Sequence, residues 1–280
     1  MFDPRKEPEM QQNGETDRPE RIIDGGGLWQ GRLLKFTRLE STNRWALSHL
    51  DFCRHGDVVW AQYQTAGRGR FDRPWLSPGG RGLTLSFVFT ESDKKFFQAM
   101  GQTAALAVRD TLENFSINAQ LKWPNDVLIK GNKIAGILSE VDFNRHAVVL
   151  GVGLNVNFDR RDIESGRINS PATSMRIEKN RPVDIGEVRQ CLVQKMEKNC
   201  DLTVEKGTSI IVDAWRQSDW LMGSRIRITN PNFTIEGRYA GLDHDGQLRL
   251  VDDQEKENRF LAGDVTRLEI CSSPSQETDG

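Results

Sequence analysis

The stretch from Thr65 to Gly82 has the residue types that bind a small anion. Its eighteen residues include four arginines and five glycines. Planar guanidinium groups bind a carboxylate or a phosphate through paired hydrogen bonds, and glycine lets the backbone approach a ligand closely. Because only Asp72 offsets the positive charges, an anionic ligand would help to order this arginine loop. The sequence predicts a loop that is mobile when empty and closes over an anion, and the alternative is a solvated basic surface loop.

A second set of polar residues follows in the segment Lys122–Val127 and at Lys133. Asp126 could hold Mg²⁺ beside a nucleotide phosphate, because that ion often takes only one or two protein carboxylates. The alternative for Asn125 and Asp126 is a turn-forming role. The Lys133 ammonium could neutralise the charge that develops when a carboxylate attacks a phosphorus atom. An isolated lysine in a hairpin is more often simply solvated, so this role depends on Asp126 and Lys133 sharing one end of a sheet.

Short apolar runs rich in β-branched residues predict the strands that would position these groups. They are Leu33–Leu39, Val58–Tyr63, Leu83–Phe89, Leu121–Trp123, Val127–Ile129, Ile134–Val141 and Ala147–Val156. Gly131-Asn132 predicts a hairpin turn between two of them. Ser41 or Thr42 would cap a short helix after the first strand.

Apolar residues at three- and four-residue steps predict a long helix from Phe97 to Phe115. Asp184 followed by Glu187 has the pattern of a capping box, and another helix is predicted over Ile210–Trp215. From Gly223 onward the chain changes to short alternating segments that predict a small β-barrel. These segments are Ile226–Thr229, Thr234–Leu242, Gln247–Val251 and Val265–Ile270.

Composition and missing motifs exclude several classes of protein. The 280 residues carry a net charge of −2, which argues against a protein that coats nucleic acid or an anionic membrane. The sequence lacks a P-loop, a Rossmann glycine spacing and a G-x-S-x-G motif. No apolar run is long enough to cross a bilayer, no signal-peptide pattern is present, and the four cysteines form no C-x-x-C pair. We therefore expect a cytoplasmic protein with free thiols.

Five ordered blocks closely resemble the biotin protein ligases, also called biotin–[carboxyl carrier protein] ligases. The blocks are STN at 41–43, YQTAGRGR at 63–70, KWPND at 122–126, KIAGIL at 133–138 and GVGLNVN at 151–157. The resemblance covers most of Arg32–Asn157 and implies an α+β fold, a mixed β-sheet packed with helices as in class II synthetases. Combined with the patterns above, it predicts a disordered tail at 1–26, a catalytic domain at 27–219 with helices on one side of its sheet, an SH3-like C-terminal domain at 220–271 and a disordered tail at 272–280.

The resemblance also implies an activity, which is a two-step ATP-dependent ligation. Biotin and MgATP would give biotinyl-5′-AMP and pyrophosphate, and a lysine of a biotin carboxyl carrier protein domain would then take the biotinyl group. Biotin contacts would come from Ser41, Thr42, Asn43, Gln64, Gly67, Arg68, Gly69, Arg70, Lys133 and Gly136, with Arg68, Arg70 and Lys133 as the catalytic residues. Nucleotide contacts would come from Arg73, Trp75, Asn125, Asp126 and Asn155, with Asp126 on the Mg²⁺ side of the phosphates.

Two departures from the family's pattern affect these expectations. Many relatives have a glycine where Asp72 stands, so this loop should be stiffer or less positive than usual. The winged helix-turn-helix of repressor-type members is missing, because only about thirty residues precede the first predicted strand. We therefore expect no DNA binding and no membrane binding, and homodimer formation stays open. The alternative functions are a lipoate or octanoate ligase and a non-catalytic biotin- or carrier-binding module.

Overall fold

The computed structural model describes residues 18–76, 78–90, 99–164 and 171–268. Eight strands form one mixed sheet in the order β1-β2-β3-β4-β8-β7-β6-β5, in which only β2 and β3 run parallel. Their bounds are β1 Arg21–Ile23, β2 Leu33–Leu39, β3 Val58–Gln64, β4 Gly82–Phe89, β5 Gln120–Lys122, β6 Asp126–Ile129, β7 Asn132–Asp142 and β8 Ala147–Asn155. The predicted α+β class with a mixed sheet is confirmed.

The helices carry the expected caps. They are α1 Thr42–Ser48, α2 Met100–Asn114, α3 Arg160–Glu164, α4 Met175–Lys179, α5 Ile185–Lys206 and α6 Ser209–Arg216. Ser41 accepts the backbone N–H of Arg44 at the start of α1, and Asp184 accepts that of Glu187 at the start of α5. The predicted start of α2 at Phe97 lies outside the described residues. No helix in the described ranges is both long and apolar enough to span a membrane.

The main sheet is covered on both faces, so the expectation of helices on one side was wrong. Residues Val148, Leu150 and Val152 of β8 pack in a cluster with α2, α5 and α6. Ala147 and Val149, which alternate with them, pack in a second cluster with α1. Because successive side chains of a strand point to opposite faces, an all-apolar strand such as β8 needs cover on both.

Part of the predicted N-terminal tail is ordered. Residues 1–17 lie outside the described part of the chain, but Arg21–Ile23 forms β1 and pairs with Leu33–Lys35 of β2. The Glu20 carboxylate also accepts hydrogen bonds from the backbone N–H and the hydroxyl of Thr37. The prediction of disorder up to residue 26 was wrong here, because a three-residue strand gains its stability from a partner that its own composition does not reveal.

The turn that precedes Lys133 lies one residue earlier than predicted. Ile129 pairs with Asn132, so the two central residues are Lys130 and Gly131, with φ of 50° and 80°. A two-residue hairpin that needs positive φ at both positions is of the type I′ class. The turn sets the register in which Lys133, the second residue of β7, pairs with Leu128 of β6.

The C-terminal region is a five-stranded antiparallel sheet in the order β12-β11-β10-β9-β13. Its strands are β9 Arg225–Asn230, β10 Phe233–Leu242, β11 Leu248–Val251, β12 Glu257–Phe260 and β13 Asp264–Leu268. The predicted all-β character is confirmed. The sequence analysis missed β12, which has no apolar pattern. Residues 269–280 lie outside the described ranges. Closure into an SH3-like barrel stays a prediction.

The two sheets share packing contacts. Trp123 donates its indole N–H to the carbonyl of Gly246, 3.1 Å away, and Tyr239 donates its hydroxyl to Asp219, 2.5 Å away. Ile226 and Ile228 of β9 belong to the same hydrophobic cluster as Trp123. The C-terminal sheet is thereby placed beside the KWPND segment, while the domain boundaries at 219 and 271 stay predictions.

Candidate active site

A cavity of about 550 Å³ lies between the start of α1, strands β4, β7 and β8, and the arginine loop. Residues from all five sequence blocks line it. They are Ser41, Thr42, Asn43, Gln64, Arg68, Gly69, Arg70, Arg73, Trp75, Asn125, Asp126, Lys133, Gly136 and Asn155. Gly67 alone among the predicted site residues does not line it; its carbonyl accepts the Trp75 N–H at 2.8 Å and so closes the loop on itself.

One wall of the cavity is a buried hydrogen-bonded network. Gln64 Oε1 accepts the backbone N–H of Thr42 at 2.7 Å and its hydroxyl at 3.1 Å. Ser86 Oγ lies 2.7 Å from Thr42 Oγ1. With Oε1 used twice, Gln64 keeps its amide nitrogen as a donor for a ligand. We call Ser41, Thr42, Asn43, Gln64 and Ser86 the polar wall.

Asn43 completes the polar wall with both of its amide N–H groups and its amide oxygen bonded inside the protein. Its Nδ2 donates to the carbonyl of Leu138 at 3.1 Å and to Glu140 Oε2 at 2.8 Å. Its Oδ1 lies 2.5 Å from Ser86 Oγ. A Cβ on Gly151 would lie less than 3.0 Å from Asn43 Oδ1, so this glycine is what lets the amide lie against β8. The geometry gives Asn43 a supporting position behind the ligand contacts.

Lys133 and Asp126 form an ion pair in the lining of the same cavity. Lys133 Nζ lies 2.5 Å from Asp126 Oδ1, and both side chains keep about a quarter of their surface exposed. Pro171 and Thr173 bracket the Lys133 backbone through hydrogen bonds of 2.8 and 3.0 Å. The prediction that this acid and this base share one sheet end is confirmed in its geometry.

A second lysine near this ion pair, Lys122, has a shifted pKa. The pKa of Lys122 is lowered chiefly by burial, with the charge of Lys133 acting in the same direction and that of Asp126 opposing it. Lys122 also lines the cavity. Burial therefore favours the neutral form of Lys122 beside the Lys133–Asp126 ion pair.

Trp75 extends from the arginine loop onto the sheet. A Cβ on Gly153 would meet its indole at less than 3.0 Å, and one on Gly136 would lie 3.2 Å from it. The Lys133 ammonium lies 5.6 Å from the centre of the same ring. Two glycines thus make room for an aromatic surface beside the ion pair. Aromatic surfaces of this kind stack on planar ligands.

The arginine loop is held by the C-terminal sheet, a contact that the sequence did not reveal. Arg70 donates to the carbonyl of Gly263 at 3.2 Å and lies 4.0 Å from Asp264 Oδ1. Arg73 forms an ion pair with the same Asp264. Burial lowers the pKa of Arg70, although the nearby carboxylate of Asp264 opposes that shift.

Other residues of the site were also missed by sequence reasoning. Thr84, Lys122, Asp264 and Thr266 line the cavity, and Ser86 belongs to the polar wall. Asp264 is separated from Arg73 by 191 residues, so no local spacing could have indicated it. Lys122 belongs to the KWPND block and could have been predicted as a site residue because Asp126 belongs to the same block.

Two asparagines fix the backbone near the Lys133–Asp126 ion pair. Asn155 donates to the carbonyl of Thr173 at 3.0 Å, and Asn125 donates to that of Ile137 at 2.8 Å. Each amide keeps its oxygen as an acceptor. Among the described residues, no group of three or more His, Cys, Asp or Glu side chains is placed to hold a metal ion.

Comparison with known proteins identifies the family. Residues 34–157 match the model of the biotin/lipoate A/B protein ligase family. A biotin–[acetyl-CoA-carboxylase] ligase of Mycobacterium tuberculosis is 33% identical over 206 residues, which are 71% of each chain. The chain belongs to the biotin protein ligase family. The resemblance of the five sequence blocks to biotin protein ligases is thereby confirmed.

Two further relatives mark the extent of the similarity. A bifunctional ligase/repressor of Bacillus subtilis is 30% identical over 215 residues, and the match spans 75% of this biotin ligase family member but 66% of that relative. A biotin protein ligase of Aquifex aeolicus, solved in complex with biotin and ATP, superposes with a TM-score of 0.73 over 84% of this chain and 99% of that chain. At 24% identity the superposition shows a common fold.

Proposed function

We propose that this protein is an ATP-dependent ligase that activates biotin as biotinyl-5′-AMP and transfers the biotinyl group to a lysine of a biotin carboxyl carrier protein domain. The relatives named above as biotin ligases favour biotin over lipoate as the acid. A single observation carries the proposal. The Lys133–Asp126 ion pair lies in one cavity with Arg68, Arg70 and Arg73 and with the neutral polar wall.

This arrangement suits the chemistry of adenylation. An oxygen of the biotin carboxylate attacks the α-phosphorus of ATP, the bond to the β-phosphate oxygen breaks, and pyrophosphate leaves with its electron pair. The two reactants are both anionic, so fixed cations lower the barrier by offsetting their repulsion and the charge of the transition state. Lys133, near the start of β7 and paired with Asp126, is the cation that we assign to this role.

The polar wall suits a neutral, hydrogen-bonding ring system. Thr42 and Ser86 are almost fully buried, and Gln64 is held by Thr42 so that its amide nitrogen can donate. A ureido oxygen accepts such donors without a counter-charge. Biotin would therefore place its rings at the polar wall and its carboxylate toward Lys133.

The nucleotide would lie on the side of Trp75, Arg73 and Asn155, and the donor set there fits a Mg²⁺ ion that arrives with the phosphates. Asp126 supplies one carboxylate, and Asn125 keeps an amide oxygen because its nitrogen donates to Ile137. Mg²⁺ commonly takes one or two protein ligands and completes its shell with phosphate oxygens and water. When bound, the ion would neutralise phosphate charge. We further propose a cytoplasmic location, in keeping with the free thiols of Cys53, Cys191 and Cys200.

Pyrophosphate release tests the proposal directly. The protein should release pyrophosphate from ATP when biotin is added and much more slowly with lipoate or octanoate. Addition of a carrier domain should then give one biotinyl group on one lysine. Equal release with lipoate would make the protein a lipoate-type ligase, and no release with any acid would make it a binding module.

Replacement of Lys133 by Ala should slow the first half-reaction by a factor on the order of 10² or more, the range for losing one preorganised electrostatic contact. Transfer from chemically supplied biotinyl-AMP should suffer less, because the repulsive encounter is then over. Lys206→Ala, on the exposed end of α5, is the control and should match the unaltered protein. If Lys133→Ala slowed both half-reactions equally with the fold intact, Lys133 would be a general ligand clamp instead.

A further inference from the structure

Glu140 of β7 contacts both sides of the active site although it does not itself line the cavity. Its Oε2 accepts from Asn43 Nδ2 at 2.8 Å, and its Oε1 lies 3.4 Å from the Arg68 guanidinium. Its side chain is 26% exposed and that of Arg68 is 29% exposed. One carboxylate therefore joins the polar wall to the arginine loop.

The wall side of this bridge is rigid. Glu140 pairs with Val149 in the centre of the main sheet, where β7 and β8 are in register from Ala135 to Asp142. Asn43 is fixed by the carbonyl of Leu138 in addition to Glu140. A carboxylate held by a central strand and by a buried amide keeps its second oxygen in a constant position.

Among the described residues, Arg68 itself has one other acidic contact, and that contact cannot fix the arginine to the sheet. Asp72 lies 3.5 Å from Arg68, but it belongs to the arginine loop and its side chain is 86% exposed. An ion pair within the loop moves when the loop moves, so it cannot set the distance between Arg68 and the sheet. Glu140 can, because it is anchored outside the loop.

We propose that Glu140 is a positioning residue that sets Arg68 in register with the polar wall when the arginine loop closes. The inference rests on the proposed function and deepens it. Arg68 would meet the acyl-phosphate only if its guanidinium returns to one place at each closure, and the Glu140 carboxylate defines that place. Loss of the contact should therefore shorten the time for which biotinyl-AMP is retained.

The variant Glu140→Gln tests this contact, because it removes the charge while the side chain keeps nearly the same size and shape. The new amide oxygen can still accept from Asn43, but the charge that pairs with Arg68 is gone. We expect release of biotinyl-AMP, measured by gel filtration over time, to become about tenfold faster, the order for one charge-assisted hydrogen bond. The thermal midpoint should stay near that of the unaltered protein. Glu236→Gln is the matched control, because Glu236 pairs with Arg227 on the C-terminal sheet, outside the cavity.

A double-mutant cycle separates positioning from a merely structural role. In an Arg68→Gln background, Glu140→Gln should change the release rate by less than about twofold, because the shared contact is already lost. A full additional tenfold effect there, or release by Glu140→Gln at the unaltered rate, overturns the inference. If Glu140→Gln does not fold, Glu140→Asp, which keeps the charge but shortens its reach to Arg68, should show the faster release, and release there at the unaltered rate overturns the inference. No biotin-dependent pyrophosphate release by the unaltered protein would instead overturn the proposed function, and this inference with it.

Discussion

The polar wall and the arginine loop face the same cavity but are held by different forces. The residues of the wall are buried and neutral, with Thr42 and Asn43 each 3% exposed. In the loop, the side chain of Arg73 is 67% exposed and that of Asp72 is 86% exposed. The loop is attached to the rest of the protein through ion pairs and the Trp75 indole.

This difference separates a preorganised half from an adjustable half. Breaking one buried hydrogen bond of the wall leaves an unsatisfied polar group, which costs about 1–3 kcal/mol. An exposed ion pair contributes about 0–1 kcal/mol and weakens with salt. Under the proposed function, the fixed wall would recognise the neutral ring, and the charged, reacting end would lie under the segment with the weaker attachments.

The largest effect should come from replacing a glycine by alanine, at Gly151 beside the polar wall and at Gly153 beside the arginine loop. In Gly151→Ala the new Cβ would press on Asn43, whose amide is fixed by three partners. We therefore expect the free energy of unfolding to fall by about 1–3 kcal/mol and the KM for biotin to rise. In Gly153→Ala it would press on Trp75, which can move with the loop, so the KM for ATP should rise with little loss of stability.

Urea denaturation and substrate titrations of the two glycine variants check this prediction. Equal destabilisation by the two substitutions would mean that the loop is packed as firmly as the wall, and the comparison would fail.

Limited proteolysis tests whether the arginine loop opens and closes. Cleavage between Thr65 and Gly82 should slow about tenfold when biotin and ATP are each present at about ten times their Kd, because binding to the closed form depletes the open form. Each ligand alone should protect less. An unchanged cleavage rate with both ligands would show that this segment is not a lid.

A smaller effect is expected from Asp264→Asn, which removes the charge that holds Arg70 and Arg73 to the C-terminal sheet. Release of biotinyl-AMP should become about threefold faster, within the range of exposed ion pairs. Asp253→Asn is the matched control, because Asp253 pairs with Arg225 on the same sheet. Slower release than in the unaltered protein would mean that Asp264 acts mainly by repelling phosphate.

The smallest effect should follow Asp72→Gly. Asp72 has φ of 53°, a left-handed conformation that glycine adopts without strain. The relief of strain should be offset by the greater freedom of glycine in the open loop, so release of biotinyl-AMP should change by less than about twofold. A large change would assign Asp72 a role of its own in holding Arg68.

The sequence alone determined which residues are available for chemistry and where most strands of the main sheet lie. Apolar runs rich in β-branched residues predicted β2, β3, β4, β7 and β8 to within a residue or two, because strand propensity is local information. The same holds for the caps at Ser41 and Asp184. The unusual density of arginine and glycine marked the loop, and the five blocks marked the cavity that they line together.

Only the tertiary structure decided which groups hold those residues in place. Glu140 on Asn43 and Arg68, Asp264 on Arg70 and Arg73, and Ser86 on Thr42 join residues that are tens to nearly two hundred positions apart. The strand β1 and the Lys130-Gly131 turn likewise depended on pairing with a partner strand. Contacts of this kind are set by the closure of the chain on itself, which leaves no periodicity in the sequence from which they could be predicted.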